Sequence, residues 1–438
     1  MPIAMIQTTA AAAADTAADP AQRPPALAFV ILWSASQPHR VGEVAFIPAF
    51  EERFVGRGDD AIDKFARFAR QRPGEAPATD PRAGLLTGDS MSRRQAAVRA
   101  GATSIEIERV GRSAMLVNGV ECPRAVLKPG DTVMFKGELL LLCTWRPTML
   151  PAACGPCEGH VYGEADSAGI VGESGVVWTL RAEVARAAMS DDHVLVLGES
   201  GTGKELVAGA LHRWSKRANG PFIPFNAADL SPSLIAAELN GHPANYPNPG
   251  MPARKGLLGD SDHGTLFIDE IGDLPLDAQA ALLRALDSGQ YRPVGETKPR
   301  KVDSRFVGAT NKGGSVFRAD FPARFPVRIY LPPLRERRED VPLLIRQWLL
   351  QRAQKFPALE RFIRTGPSGR PEPQVSARLV DYLVRQPPPL NVRELHTLLL
   401  KAVDASRGDV VGLPASDSAP VPTQPPPPSG EGEARSSI

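Results

Sequence analysis

The residues with the plainest chemistry are Gly198-Glu199-Ser200-Gly201-Thr202-Gly203-Lys204, which fit the GxxxxGK spacing. Glycines here let backbone N–H groups wrap a phosphate. The helix that should follow adds the positive end of its dipole, and Lys204 can reach β- and γ-phosphate oxygens. His193–Leu197 before the loop is β-like, and Lys204–Trp214 after it has helical spacing, so the loop stands between a strand and a helix. A Ser or Thr normally follows the lysine to ligate Mg²⁺. Glu205 stands there instead, so on the residues alone the metal is held elsewhere or the site is damaged.

A second feature favours the former. Leu266-Phe267-Ile268-Asp269-Glu270 is an apolar strand ending in two carboxylates, which are costly to bury without a task. At the C-terminal end of a sheet strand, Asp269 can hold Mg²⁺ through water while Glu270 orients an attacking water. The bland alternative is a helix N-cap pair leading into Ile271–Leu274.

With these motifs in order, Gly169–Ala405 resembles the AAA+ domain of bacterial enhancer-binding proteins that activate sigma-54 RNA polymerase. That family carries Glu after the lysine, which accounts for Glu205. The resemblance implies ATP and Mg²⁺ as cofactors and an ATPase activity. It makes Asn226 the asparagine that restrains the catalytic glutamate, and Ala309-Thr310-Asn311 the sensor I strand end. Arg318 and Arg324 match the paired arginine fingers that act in a neighbouring subunit, followed by the run Leu331–Arg337. Asn391-Val392-Arg393-Glu394-Leu395 resembles the lid motif, with Arg393 as sensor II. Rigid guanidinium groups suit a loose phosphoryl-transfer transition state. Fingers supplied in trans imply a homo-oligomer, a hexamer in this family.

Two departures stand beside the matches. The family contacts sigma-54 through a Gly-Ala-Phe-Thr-Gly-Ala loop, whereas Gly241-His242 here is followed by Pro243-Ala244-Asn245-Tyr246-Pro247-Asn248-Pro249-Gly250. Proline fixes φ and keeps its predecessor out of the α region, so a stiff, extended loop is expected, which speaks against sigma-54 contact in the usual way. No helix-turn-helix pattern or Lys/Arg cluster follows Val403, so no direct DNA-binding domain is expected.

The β-rich segment Leu27–Trp145 resembles a forkhead-associated (FHA) domain, a sandwich that binds phosphothreonine peptides. Arg57 of Phe54-Val55-Gly56-Arg57 matches the arginine that meets the phosphate. Ser92-Arg93-Arg94-Gln95 matches the Ser-Arg-x-His segment with Gln95 for histidine, and Val117-Asn118-Gly119 a later turn. Ser113 stands where the family has its peptide-gripping asparagine. A structural docking sandwich is the alternative.

The elements that must position these groups divide the chain. Residues 1–25 lack periodicity and are read as disordered. Short strands over 26–145 give the sandwich, interrupted by a helix where Ile62, Phe65, Ala66 and Ala69 repeat at three and four. A Pro/Gly-rich linker spans 146–168. Alternating strands and helices over 169–335 give a mostly parallel α/β sheet, helices over 336–404 a C-terminal lid, and 405–438 a disordered Pro-rich tail. The fold class is therefore multi-domain: an FHA-like β-sandwich, then an α/β P-loop AAA+ domain with a helical lid.

Composition sets outer limits. Hydrophobic residues at 42% exclude a wholly disordered chain, and 51 Lys+Arg against 49 Asp+Glu exclude a chain-wide electrostatic attraction to nucleic acid or membrane. No apolar run approaches the ~20 residues of a bilayer span, and the Ala-rich start lacks a basic n-region, so a cytoplasmic protein is expected. Cys154-Gly155-Pro156-Cys157 has the spacing of a redox motif but no βαβ context, so it is read as exposed linker. The sequence thus reads as an ATP-hydrolysing regulator gated by a phosphothreonine partner. The rivals are a phosphopeptide-binding scaffold with a nucleotide-gated ring that hydrolyses weakly or not at all, and a redox-regulated adaptor.

Overall fold

The structure, a computed structural model, describes residues 24–75, 84–88, 91–152, 155–229, 232–246, 248–312, 316–366 and 369–414. The N-terminal stretch expected to be disordered (to residue 23), Cys154 and the Pro-rich tail beyond 414 lie outside the described residues.

Among the described residues, ten strands form the N-terminal sandwich: β1 (Ala26–Ser34), β2 (Val44–Phe46), β3 (Glu52–Val55), β4 (Ala96–Ala100), β5 (Ile105–Arg109), β6 (Met115–Val117), β7 (Val120–Glu121), β8 (Arg124–Leu127), β9 (Thr132–Phe135) and β10 (Leu139–Arg146). One sheet runs β2-β1-β10-β9-β6-β7 and the other β3-β4-β5-β8, with antiparallel strand pairs throughout. Side chains alternate across a strand, and β1 shows what each face meets. Leu27, Phe29 and Ile31 point into the sandwich core beside Val98, Ile107 and Phe135. Ala28, Val30 and Leu32 point outward, yet they are buried too. They enter a second core built with the C-terminal helices.

The expected helix near residue 62 is only a 3-10 turn, Ile62–Lys64. A segment this short gains little from helix propagation, and its backbone groups find partners on the sheets. Ala66 N–H donates to the Phe54 carbonyl, and Ala69 and Val44 exchange two bonds.

The α/β unit runs α1 (Gly175–Ala188), β11 (Val194–Leu197), α2 (Lys204–Arg213), β12 (Phe222–Asn226), α3 (Pro232–Asn240), α4 (Gly256–Asp260), β13 (Thr265–Asp269), α5 (Leu276–Ser288), β14 (Gln290–Tyr291), β15 (Arg300–Lys301), β16 (Arg305–Thr310) and β17 (Val327–Tyr330). Five strands make a parallel sheet in the order β12-β13-β16-β11-β17. Parallel strands are buried on both faces, which is why β11 reads as an unbroken apolar run. Then follow α6 (Val341–Lys355), a small hairpin β18 (Ile363–Thr365) and β19 (Pro371–Pro373), α7 (Ala377–Arg385) and α8 (Asn391–Ala405). No helix among the described residues is long and apolar enough to cross a membrane.

The segment expected to be a loose linker is packed. Arg146 is buried, donating to Gln71 Oε1 and the Glu173 carbonyl and pairing with Glu339 at 2.5 Å. Leu150, Cys157 and Trp178 form their own cluster, and Asp166 pairs with Arg181 at 2.9 Å. Cys157 is therefore buried rather than exposed, contrary to the sequence expectation. The sandwich is also tied to the C-terminal helices by Trp33 Nε1 donating to the Val375 carbonyl (2.7 Å) and Thr132 Oγ1 donating to Asp381 Oδ1 (2.6 Å).

Candidate functional site

Strand β11 lies inside the sheet between β16 and β17, so the loop that leaves it is held from both sides. Gly198 N–H donates to the Thr310 carbonyl at 3.2 Å. Gly201 and Gly203 take φ of +76° and +104°, where a Cβ is disfavoured. At Gly201 space decides as well, because a Cβ would sit 2.2 Å from the Leu390 carbonyl oxygen. Lys204 opens α2 and is buried. Its Nζ donates to the Gly198 carbonyl at 3.2 Å and stands 3.7 Å from Glu270 Oε1.

That carboxylate is held in an unusual posture. Strand β13 ends at Asp269, and Glu270 takes φ +48°, a left-handed conformation uncommon outside glycine. Its N–H donates to Asp269 Oδ1 at 3.0 Å, and its Oε2 is buried with no hydrogen-bond partner. No cluster of three or more His, Cys, Asp or Glu suited to a metal occurs among the described residues. Asp269 ends β13 beside the phosphate loop and lines the cavity, a carboxylate of the kind Mg²⁺ takes alongside phosphate and water oxygens.

The opposite wall comes from α8. Asn391, at φ +57°, accepts from Leu334 N–H at 2.6 Å and donates to the Ser200 carbonyl (3.0 Å) and Glu199 Oε2 (3.2 Å). Arg393 Nη1 donates to Ser200 Oγ at 2.9 Å. Arg335 pairs with Glu199 at 2.7 Å and, with Asn391, holds that carboxyl below its usual range. Between the walls lies a cavity of about 560 Å³. Its lining includes Ser200–Val207, Asp269, Glu270, Arg337 and Arg393 together with the apolar Ile170, Val171, Leu344 and Trp348. A lining that supplies both cationic groups and apolar side chains fits a phosphorylated ligand carrying a flat base.

The structure thus brings Gly198 through Glu205, Asp269, Glu270 and Arg393 together. Asn226 lies in register with Asp269 on the neighbouring strand, but its Nδ2 donates to Asp229 Oδ1 at 3.0 Å and makes no bond to Glu270. Asn311, just past β16, and Arg318 are exposed and Arg324 is half-buried, and all three lie outside the cavity lining. Those two arginines pair with Asp320 (3.6 Å) and Asp287. Sequence reasoning missed Asn391 and Arg337 as site residues, although both stand inside runs it had singled out.

In the sandwich, Arg57 is exposed and its N–H donates to the Ser92 carbonyl at 3.4 Å, so these two meet. Ser92 Oγ accepts from Arg112 N–H at 3.1 Å. Asn118 serves its own turn instead, bonding Asp131 Oδ1 (2.8 Å) and accepting from Thr132 N–H (3.0 Å). That turn abuts α7: a Cβ on Gly119 would lie 3.2 Å from Arg385 Nη2.

Comparison with known proteins agrees with this geometry. Residues 170–322 match the family model described as the sigma-54 interaction domain, an AAA+ P-loop ATPase domain. The chain is 38% identical over 298 residues to the DNA-binding transcriptional regulator NtrC of Azospirillum brasilense, covering 65% of this chain and 58% of that protein. It is 46% identical over 190 residues to NtrC of Klebsiella pneumoniae, covering 42% and 40%. The chain spans about half the length of the curated relatives it matches. Among solved structures, NtrX from Brucella abortus in complex with ATP superposes with a TM-score of 0.50 at 32% identity, over 59% of this chain and 57% of that one.

Proposed function

We propose that this chain is a cytoplasmic, Mg²⁺-dependent ATPase of the sigma-54 activator type, working as a ring-forming regulator. One observation carries the reading: Lys204 and Glu270 face each other across a single cavity at the end of a glycine loop. ATP and Mg²⁺ would supply the scissile phosphoanhydride and the charge neutralisation. Lys204 and the N–H groups of 201–205 would hold the phosphates, Asp269 would hold the metal through water, and Glu270 would orient the attacking water and accept its proton. The partnerless Glu270 Oε2 is an acceptor of the kind that step needs.

In this reading Arg393 senses the γ-phosphate from the helical lid, α6 to α8. Asn226 and Asn311 report nucleotide state from the strand ends. Arg318 and Arg324 lie away from their own chain's cavity, which supports service in a neighbour and hence a hexameric ring. The loop after His242 is stitched by mutual bonds between His242 and Arg254 and by Asn245 N–H to the Met251 carbonyl at 2.8 Å. A stitched, proline-rich loop without Phe-Thr supports a remodelling target other than sigma-54 in its usual mode. The pairing of Arg57 with Ser92 supports an FHA-like reader of phosphothreonine peptides, with Asn118 as a support of the fold.

Steady-state ATP hydrolysis by the full chain across protein concentration tests this. Glu270→Gln is expected to keep nucleotide binding and lose at least about a hundredfold in turnover. Turnover no higher in the unsubstituted chain than in Glu270→Gln, at every concentration and with phosphopeptide added, overturns the enzyme reading and leaves the nucleotide-gated scaffold.

A further inference from the structure

Five arginines among the described residues are buried: Arg40, Arg146, Arg181, Arg305 and Arg337. Removing a guanidinium from water costs several kcal/mol unless charges or hydrogen bonds replace the solvent. Four of the five meet that demand. Arg40 pairs with Glu43 at 2.7 Å and donates to three backbone carbonyls. Arg146 has Glu339, Gln71 and a carbonyl, and Arg181 has Asp166 and two carbonyls. Arg305 donates to three carbonyls.

Arg337 does not. Among the described residues its guanidinium makes one hydrogen bond, from Nη2 to the Thr202 carbonyl at 3.3 Å, and its Nε is buried with no partner. No carboxylate stands within ion-pair distance of it among the described residues. Asp340, the acid whose field it feels, is already filled by the Ser174 hydroxyl (2.5 Å) and the N–H groups of Glu173 and Ser174. Burial accordingly pulls Arg337 below the ordinary guanidinium range, with Arg181 adding repulsion. It lines the cavity that holds the phosphate loop.

We propose that Arg337 is a nucleotide-phosphate ligand acting within its own chain, its missing counter-charge being supplied by the bound polyphosphate. The proposal rests on the nucleotide-binding reading above. Arg393 touches Ser200 and Arg337 touches Thr202, so two guanidinium groups flank the loop from separate elements. Arg393 sits on α8, whereas Arg337 sits on the segment that leads from the parallel sheet into α6. The second would bind the phosphates independently of the first.

The test is calorimetric titration of the full chain and its Arg337→Met and Arg337→Lys variants with ADP and, separately, with adenosine. Thermal unfolding of the ligand-free proteins runs in parallel. Arg337→Met should weaken ADP by about thirtyfold or more while changing adenosine by less than about threefold. Arg337→Lys should recover part of the ADP affinity. The ligand-free Arg337→Met chain should melt no lower than the unsubstituted one, because an unpaired buried charge has been replaced by an apolar side chain of similar length. Unchanged ADP affinity in Arg337→Met, equal losses for ADP and adenosine, or a lower ligand-free midpoint would each overturn the assignment and make Arg337 a structural support of Thr202. Failure of the unsubstituted chain to bind ADP would remove the nucleotide reading itself, a result distinct from a defect confined to the variants.

Discussion

Replacing Leu140 with Ala probes whether the sandwich and the C-terminal helices are one cooperative body. Leu140 is fully buried on the outward face of β10, in the cluster that also holds Leu383, Leu395 and Leu399 of α7 and α8. Truncation removes three carbons and opens a void that neither element can close alone. Such changes cost 2–5 kcal/mol in buried sites, and about 3 kcal/mol is expected here. Because α7 packs directly on β1 and β10, the loss should reach α8, which shares the cluster but also carries Asn391 and Arg393. Native-state hydrogen exchange read by mass spectrometry resolves the two sides. Amide protection in 391–405 should fall about a hundredfold, matching the fall in β10, since every 1.4 kcal/mol is a factor of ten. Lost protection in the sandwich with α8 unchanged would show that the two units open separately and refute the shared core.

Other outcomes follow from single sites. Asn391→Ala leaves Leu334 N–H buried without its acceptor and puts Ala at φ +57°, so a loss of about 2–4 kcal/mol is expected in chemical denaturation, with Asn391→Gly about 1 kcal/mol less harmful. His193 is pushed down by burial and its Nδ1 accepts from Phe306 N–H at 3.2 Å, so the folded chain holds it neutral. A depressed histidine gives stability that is lost as pH falls below about 6.5, at no more than about 1.4 kcal/mol per pH unit. Denaturation between pH 7.5 and 5.5 should show a slope that His193→Asn flattens. If Arg324 serves the neighbouring subunit, Arg324→Ala alone should lose about a thousandfold in turnover. Mixing it with Lys204→Ala should then revive roughly a quarter of the sites by random placement, and no revival would place Arg324 in its own chain's site.

The phosphate loop was legible because its chemistry needs glycines and a lysine at fixed spacing, and the acidic pair because an apolar strand seldom ends in two carboxylates. The docking of the sandwich left a sign that passed unread. A half-solvated antiparallel strand alternates, yet Leu27–Trp33 and Leu139–Cys143 are apolar throughout, as strands buried on both faces are. The proline and glycine content of 146–168 suggested a free linker, but Arg146, Leu150 and Cys157 find partners far along the chain that no local pattern could announce. The repeat of Ile62, Phe65, Ala66 and Ala69 imitated a helix, but the N–H groups of Ala66 and Ala69 donate to the Phe54 and Val44 carbonyls of neighbouring strands instead. Arg337 was hidden for a related reason. An arginine's significance lies in the absence of a partner, which only three dimensions reveal.

The central claim is a nucleotide seated between the phosphate loop and α8. A crystal or cryo-EM structure of the full chain with Mg²⁺ and a slowly hydrolysed ATP analogue tests it most directly. Phosphate density is expected against the amides of 201–205 and Lys204, with the metal beside Asp269 and the base against Ile170 and Trp348. An empty cavity under saturating nucleotide, or density with the phosphates away from Lys204, would contradict it.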